Sequence, residues 1–146
     1  ILPKIHEKKP NAKILIAGTK PTFKVVNLKS DFVEVSGWIK DIRKAYSESK
    51  IFIAPMRMGT GLQNKLLEAM SMEKVCITTP LANNALQAPK STIFIGETAE
   101  ELSEHCIYLI ENESARHKCA KEGRNFVKKT YKWSQTTERL NEIFKS

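Results

Sequence analysis

The sequence predicts an α/β fold, a parallel sheet flanked by helices, with a helical extension at its C-terminal end. Three observations carry that expectation. Five short apolar segments, rich in β-branched or aromatic residues, each stop at Gly or Pro, as buried strands do. Stretches with helical spacing separate several of them, and that alternation implies parallel pairing with both sheet faces covered. Beyond the fifth segment the pattern is helical only.

Taken in order, the strands are expected at residues 13–18, 32–37, 51–55, 75–80 and 92–96. Between the second and third, residues 39–47 read as a helix, with Ile42 and Tyr46 four apart. Between the third and fourth, residues 62–72 give the clearest helix, with Leu62, Leu66, Ala69 and Met70 on one stripe. Thr98 and Glu101 form a capping box, because a Thr hydroxyl and a Glu three residues on can satisfy free backbone N–H groups. The helix it opens carries the stripe Leu102, Cys106, Leu109 and Ile110. Two more helical stretches are expected, at residues 115–131 and 134–144.

Length and composition bound the remaining possibilities. A chain of 146 residues suffices for one compact domain, and 41% apolar with 27% charged residues is a globular composition. No apolar run approaches the roughly 20 residues that cross a bilayer, and Ile1-Leu2-Pro3-Lys4 leads into a charged segment unlike a signal peptide. Because the chain opens on Ile rather than Met, further sequence upstream is expected. Cys76, Cys106 and Cys119 are odd in number and widely spaced, which fits buried free thiols in a reducing cytoplasm rather than disulfides or a zinc site. A net charge of +8 favours anionic partners, although much of it lies in dispersed pairs such as Lys8-Lys9 and Lys128-Lys129 that read as solvated surface.

Open α/β sheets bind ligands at the carboxyl ends of their strands. Here those ends are Gly18-Thr19-Lys20, Gly37-Trp38-Ile39, residues 55–61 and Thr78-Thr79-Pro80. The third links strand to helix through Arg57, Gly59, Thr60 and Gly61. Glycines allow close backbone approach, a helix start offers free N–H groups to an anion, and a guanidinium can grip phosphate bidentately. Asn64, Lys65 and Glu68 project away from the apolar stripe of the following helix, where Glu68 can accept hydrogen bonds from two neighbouring hydroxyls, as a ribose offers. A plain Lys65–Glu68 surface pair is the simpler alternative.

The stretch from Gly59 through Glu68-Ala69-Met70 to Met72 resembles the donor-site segment of group 1 (family 4) glycosyltransferases, retaining enzymes of the two-Rossmann-domain GT-B fold. The resemblance extends over nearly the whole chain: residues 10–18, residues 35–42, Gly123-Arg124-Asn125-Phe126-Val127 and Tyr131-Lys132-Trp133-Ser134. It implies a Rossmann-like domain, one half of a GT-B fold, that binds a UDP-, GDP- or ADP-sugar and transfers the glycosyl group to an acceptor hydroxyl. Carried over by residue, Glu68 holds the ribose through its 2′ and 3′ hydroxyls. The backbone around Gly37, Trp38 and Ile39 brackets the base, and Gly18 leaves room beside the phosphates. The Gly59–Thr60–Gly61 loop faces diphosphate and sugar, with Arg57 and Lys65 as charge partners that the family pattern does not fix.

The chain departs from that pattern in four places. The family's first glutamate, eight before Glu68, is Thr60 here. The Gly-x-Pro after the Ala-Met helix is Glu73-Lys74-Val75, so that turn must close differently. The Arg and Lys that typically grip the diphosphate have no counterpart from Ile1 onward, and the N-terminal acceptor domain is missing, so little or no turnover is expected from these residues alone. The task implied is stabilising negative charge on a leaving nucleoside diphosphate, through helix-start N–H groups and cationic side chains, with no metal and no cofactor.

Other assignments are plainer. His6, His105 and His117 fall in helical stretches away from the strand ends and read as surface or interhelical residues. Tyr131 and Trp133 read as packing residues where the last helix folds back. Lys128, Lys129 and Lys132 suit contact with an anionic membrane surface. A regulatory domain of receiver type would want an Asp where the third strand ends in Ala54-Pro55. A nucleic-acid module would want aromatics on a basic face, whereas Phe32, Phe52 and Phe94 fall within strands, so no nucleic-acid partner is expected.

Overall fold

The computed structural model describes residues 1–59 and 61–132. All five expected strands form. The elements run α1 (Leu2–Lys8), β1 (Ile14–Ala17), α2 (Phe23–Val26), β2 (Val33–Gly37), α3 (Ile42–Glu48), β3 (Ile51–Ala54) and α4 (Asn64–Ser71). They continue through β4 (Val75–Thr78), α5 (Pro80–Leu86), β5 (Phe94–Ile95), α6 (Ala99–Glu111) and α7 (Glu113–Thr130). Thr60, Trp133 and the helix expected at residues 134–144 lie outside the described residues.

Every strand pair is parallel, as alternation with helices predicts, but the pairing divides into two ladders, β1-β2 and β3-β4-β5. Strand β4 is central to the second ladder and buried along its whole length. Its alternate side chains separate two cores, as the period of a strand requires. Val75 and Ile77 face a cluster with Ile5 of α1, Leu102, Cys106 and Leu109 of α6, and Cys119 and Ala120 of α7. Cys76 faces the other cluster, with Tyr46 of α3, Leu66, Ala69 and Met70 of α4, Leu86 of α5 and Val127 of α7. The three cysteines are free and buried.

The capping box at α6 forms as predicted: Thr98 Oγ1 accepts from Glu101 N–H at 3.1 Å, and the Glu101 carboxylate accepts from Thr98 N–H at 3.4 Å. Tyr131 packs as expected, its hydroxyl donating to the Leu86 carbonyl at 2.8 Å and its ring edge-on to Phe126. In α4 the stripe holds at Leu66, Ala69 and Met70, each fully buried, but Leu62 lies before the helix and is 41% exposed. The two glycines ahead of it, both at left-handed φ, delay the helix until Asn64.

The turn from α4 into β4 closes without the glycine that usually ends a helix. Glu73 itself takes the left-handed conformation, at φ 55°. Its N–H donates to Met70 O at 3.0 Å and the Lys74 N–H to Ala69 O at 3.0 Å, a Schellman pair that satisfies two helix-end carbonyls. A left-handed non-glycine residue costs roughly 1–2 kcal/mol. Two side chains hold this one down. The Glu73 carboxylate accepts from Arg124 of α7 at 2.9 Å, and Lys74 Nζ donates to the carbonyls of Ser47 and Ser49 at the end of α3, at 3.2 and 3.1 Å.

Candidate functional site

The carboxyl ends of β1 and β2 frame a small cavity of about 150 Å³, lined by Ala17, Gly18, Thr19, Gly37, Trp38, Ile39 and Ile42. Four of the residues singled out from sequence, Gly18, Gly37, Trp38 and Ile39, thus meet in one place. The ladder brings them there: Gly18 N–H donates to Gly37 O at 3.0 Å, one residue past the end of β1. Gly37 has φ 68°, which lets the chain turn out of β2 without the strain a side chain would suffer. Trp38, next along, lines the cavity and stands 68% exposed. A larger cavity of about 540 Å³ opens at the amino ends of the same strands, between His6, Asn11, Lys13, Asp31 and Phe32. Helix-start N–H groups and strand-end loops face away from it, so the smaller cavity is the better seat for an anionic ligand.

The second part of the site follows β3. Two threonines at the end of β4 anchor its loop: Thr78 Oγ1 donates to Ala54 O and Thr79 Oγ1 to Met56 O, both at 2.8 Å. Past that anchor the chain is exposed at Arg57, Met58, Gly59 and Gly61. Gly59 and Gly61 sit at φ 135° and 78°, so the loop conformation requires glycine at both. Helix α4 then begins with no side-chain cap and no acidic residue in its first turn. Its leading N–H groups, with Lys65 in that turn, leave a local positive field. Lys65 Nζ lies 3.4 Å from Met56 Sδ, and neither Lys65 nor Arg57 pairs with a carboxylate among the described residues. The Lys65–Glu68 pair considered from sequence therefore does not form.

Glu68 and Lys65 are exposed, on the opposite side of α4 from the buried stripe, as their spacing predicts. Glu68 Oε2 instead accepts from the Tyr46 hydroxyl at 3.3 Å. Tyr46 is a residue that sequence reasoning placed on the α3 stripe and gave no role at the site. Its hydroxyl also lies 3.4 Å from Lys65 O, and burial followed by the charge of Glu68 pushes its pKa up to about 12. It therefore stays a protonated donor at neutral pH.

The histidines divide. His117 pairs with Glu113 on the surface of α7, and His6 stacks on Phe32 at 3.8 Å, at the amino end of β2. His105 corrects the sequence reading: its Nε2 lies 3.1 Å from Ile95 O, at the carboxyl end of β5, because α6 folds back along that strand. Among the described residues, no cluster of three or more His, Cys, Asp or Glu could hold a metal ion, and no helix is long and apolar enough to cross a membrane.

Comparison with known proteins identifies the family and the fold. The family model for glycosyl transferases, group 1, matches residues 1–112. An uncharacterized glycosyltransferase of Methanocaldococcus jannaschii is 26% identical over 99 residues, a match covering 66% of this chain and 25% of that relative. HepE of Anabaena, solved in complex with UDP, superposes with a TM-score of 0.86 at 12% identity, over 99% of this chain and 43% of HepE. A glycosyltransferase of Rickettsia africae superposes with a TM-score of 0.83 at 20% identity, over 97% of this chain and 42% of that protein. At such identities the two solved proteins establish the shared GT-B fold. The chain spans less than half the length of each of the three.

Proposed function

The chain belongs to the group 1 glycosyl transferases, and from that premise we propose that residues 1–146 are the donor-binding, C-terminal half of a retaining hexosyltransferase. The observation that carries this reading is that the strand ends bear, in turn, the Gly18/Gly37/Trp38/Ile39 cavity after β1 and β2 and, after β3, a helix start with no side-chain cap, a lysine in its first turn and the exposed Glu68 carboxylate. These are the parts a nucleoside diphosphate sugar needs. The base lies against Trp38, the ribose hydroxyls donate to Glu68, and the diphosphate faces the N–H groups at the start of α4 with Arg57 and Lys65 beside it. As the glycosyl bond breaks, charge grows on the leaving diphosphate, and fixed N–H dipoles and cations there lower the barrier without a metal or cofactor. The acceptor that carries the receiving hydroxyl is bound by a second, N-terminal domain, so these residues alone transfer little or nothing. The protein works in the cytoplasm, with its basic surface, Lys128 and Lys129 included, against an anionic membrane.

The test is a calorimetric and NMR titration with UDP, GDP and ADP, beside Glu68→Ala. One nucleotide is expected to bind and to move the amides of Gly37–Ile39, Gly59 and Gly61. Loss of a hydrogen bond to a charged group costs about 1.5–3 kcal/mol, so Glu68→Ala weakens binding by roughly 10- to 150-fold. Binding that ignores Glu68, or shifts confined to the opposite ends of the strands, refutes the reading.

A further inference from the structure

We propose that Tyr46 is a positioning residue for Glu68, and that it sets how strongly the protein distinguishes a ribonucleotide from its 2′-deoxy counterpart. The inference rests on the donor-site reading above and adds a residue to it. Glutamate is a poor rigid acceptor by itself: its side chain has three rotatable bonds, and at an exposed position water competes for every conformer. Among the described residues, the Glu68 carboxylate has one hydrogen-bond partner, the Tyr46 hydroxyl at 3.3 Å.

Tyr46 is built to hold still. Its side chain is 6% exposed, its ring meets Phe52 of β3 edge-on at 5.6 Å, and it belongs to the same core cluster as Leu66, Ala69 and Met70 of α4. Only the hydroxyl emerges from that core, and it emerges between Lys65 O and the Glu68 carboxylate. A carboxylate carries about four acceptor positions. Tyr46 takes one on Oε2, which favours one carboxylate orientation and leaves the rest for two ribose hydroxyls.

The same helix face ties this arrangement to the base cavity. Ile42 lines that cavity, and Tyr46 stands one turn later on α3. One rigid element thus meets the base through one side chain and aims the ribose acceptor through the next. A distance of 3.3 Å is long for an O–H···O bond, and such contacts tighten when a ligand closes over them.

The experiment uses the full-length protein, with UDP, GDP and ADP and the 2′-deoxy form of each, titrated against wild type, Tyr46→Phe, Glu68→Ala and the double variant. Tyr46→Phe removes one oxygen and keeps the buried ring. Wild type is expected to prefer the ribonucleotide by tenfold or more, and Glu68→Ala to lose that preference. Tyr46→Phe should weaken ribonucleotide binding roughly fivefold and the deoxynucleotide, which keeps only the 3′ hydroxyl for Glu68, by clearly less, and should add nothing in the double variant. If Glu68→Ala loses the preference and Tyr46→Phe keeps it in full, the positioning role is refuted while the donor site stands. The same holds if Tyr46→Phe weakens both nucleotides equally, which marks a structural effect alone. If wild type shows no preference, or Glu68→Ala keeps it, the donor-site reading fails and takes this inference with it.

Discussion

Replacing Thr78 by valine tests the anchor beneath the candidate loop. Thr78 is fully buried, and its hydroxyl donates to the Ala54 carbonyl at 2.8 Å. That carbonyl also accepts the Met56 N–H at 2.9 Å, so the substitution does not orphan it, and the full cost of an unsatisfied buried acceptor does not apply. What is lost is one net hydrogen bond, about 1 kcal/mol. A second cost is steric, because valine sets a methyl where an oxygen sat at hydrogen-bonding distance from another oxygen. Carbon and oxygen need a few tenths of an ångström more, and crowding of a packed interior adds about 1 kcal/mol or more. The sum is about 2 kcal/mol, or roughly 4–8 °C in Tm for a chain of this size. Urea and thermal unfolding would measure it, with Thr78→Ser as control. Serine keeps the hydroxyl and gives up one methyl, at about 1 kcal/mol. Hydrogen exchange at Arg57, Met58 and Gly59 should quicken in the valine variant only. Valine at wild-type stability, or above serine, would refute the claim that this bond fixes the end of β3.

Two further outcomes follow from packing and burial. A Cβ at Gly123 would lie 3.0 Å from the Thr92 carbonyl and 3.2 Å from Met70 Cε, where α7 crosses α4. Alanine gains about 1 kcal/mol of helix propensity against that crowding, whereas Gly123→Val adds two more methyls to a filled site and should lose about 2 kcal/mol or more; a valine variant with an unchanged urea midpoint would contradict the packing. Burial pushes the thiols of Cys106 and Cys119 up to about 11 and that of Cys76 higher, and burial with Glu68 pushes Tyr46 to about 12. In each case the folded state keeps its proton to higher pH than the unfolded state. Their contribution to stability is therefore complete below about pH 9 and is lost as pH climbs through 11 and 12. A thiol reagent at pH 8 should label no cysteine in native protein and all three in urea; native labelling would mean the cores are more open than described.

The strands were legible because each apolar segment carries its own stop signal. Residues 51–55 and 75–80 could be read one at a time, with no knowledge of what they pair with. Pairing is a different matter: nothing in 13–18 or 51–55 says that β1 and β3 fall into separate ladders, since register depends on partners far apart in sequence. Helix α5 went unread because Pro80 looks like the end of a strand, while in the fold it also occupies the first turn of a helix, where a missing N–H costs nothing. The cavity residues were legible as strand ends, and Glu68 by its place on the polar face of α4. Tyr46 was not. It lies 22 positions from Glu68, and on a stripe with Ile42 a tyrosine reads as core; the ring is core, and only its oxygen is not.

The left-handed Glu73 has an evolutionary consequence. A glycine there would hold the same turn at no conformational cost, and Arg124 would then lose its carboxylate partner. The two positions, 51 apart in the chain, should therefore change together among relatives: glutamate with arginine, or glycine with whatever suits the surface of α7. Lys74 adds a third member, since it fastens the same turn to the end of α3. A set of related sequences would show this as covariation around the turn just past the C-terminal end of the helix that carries Glu68.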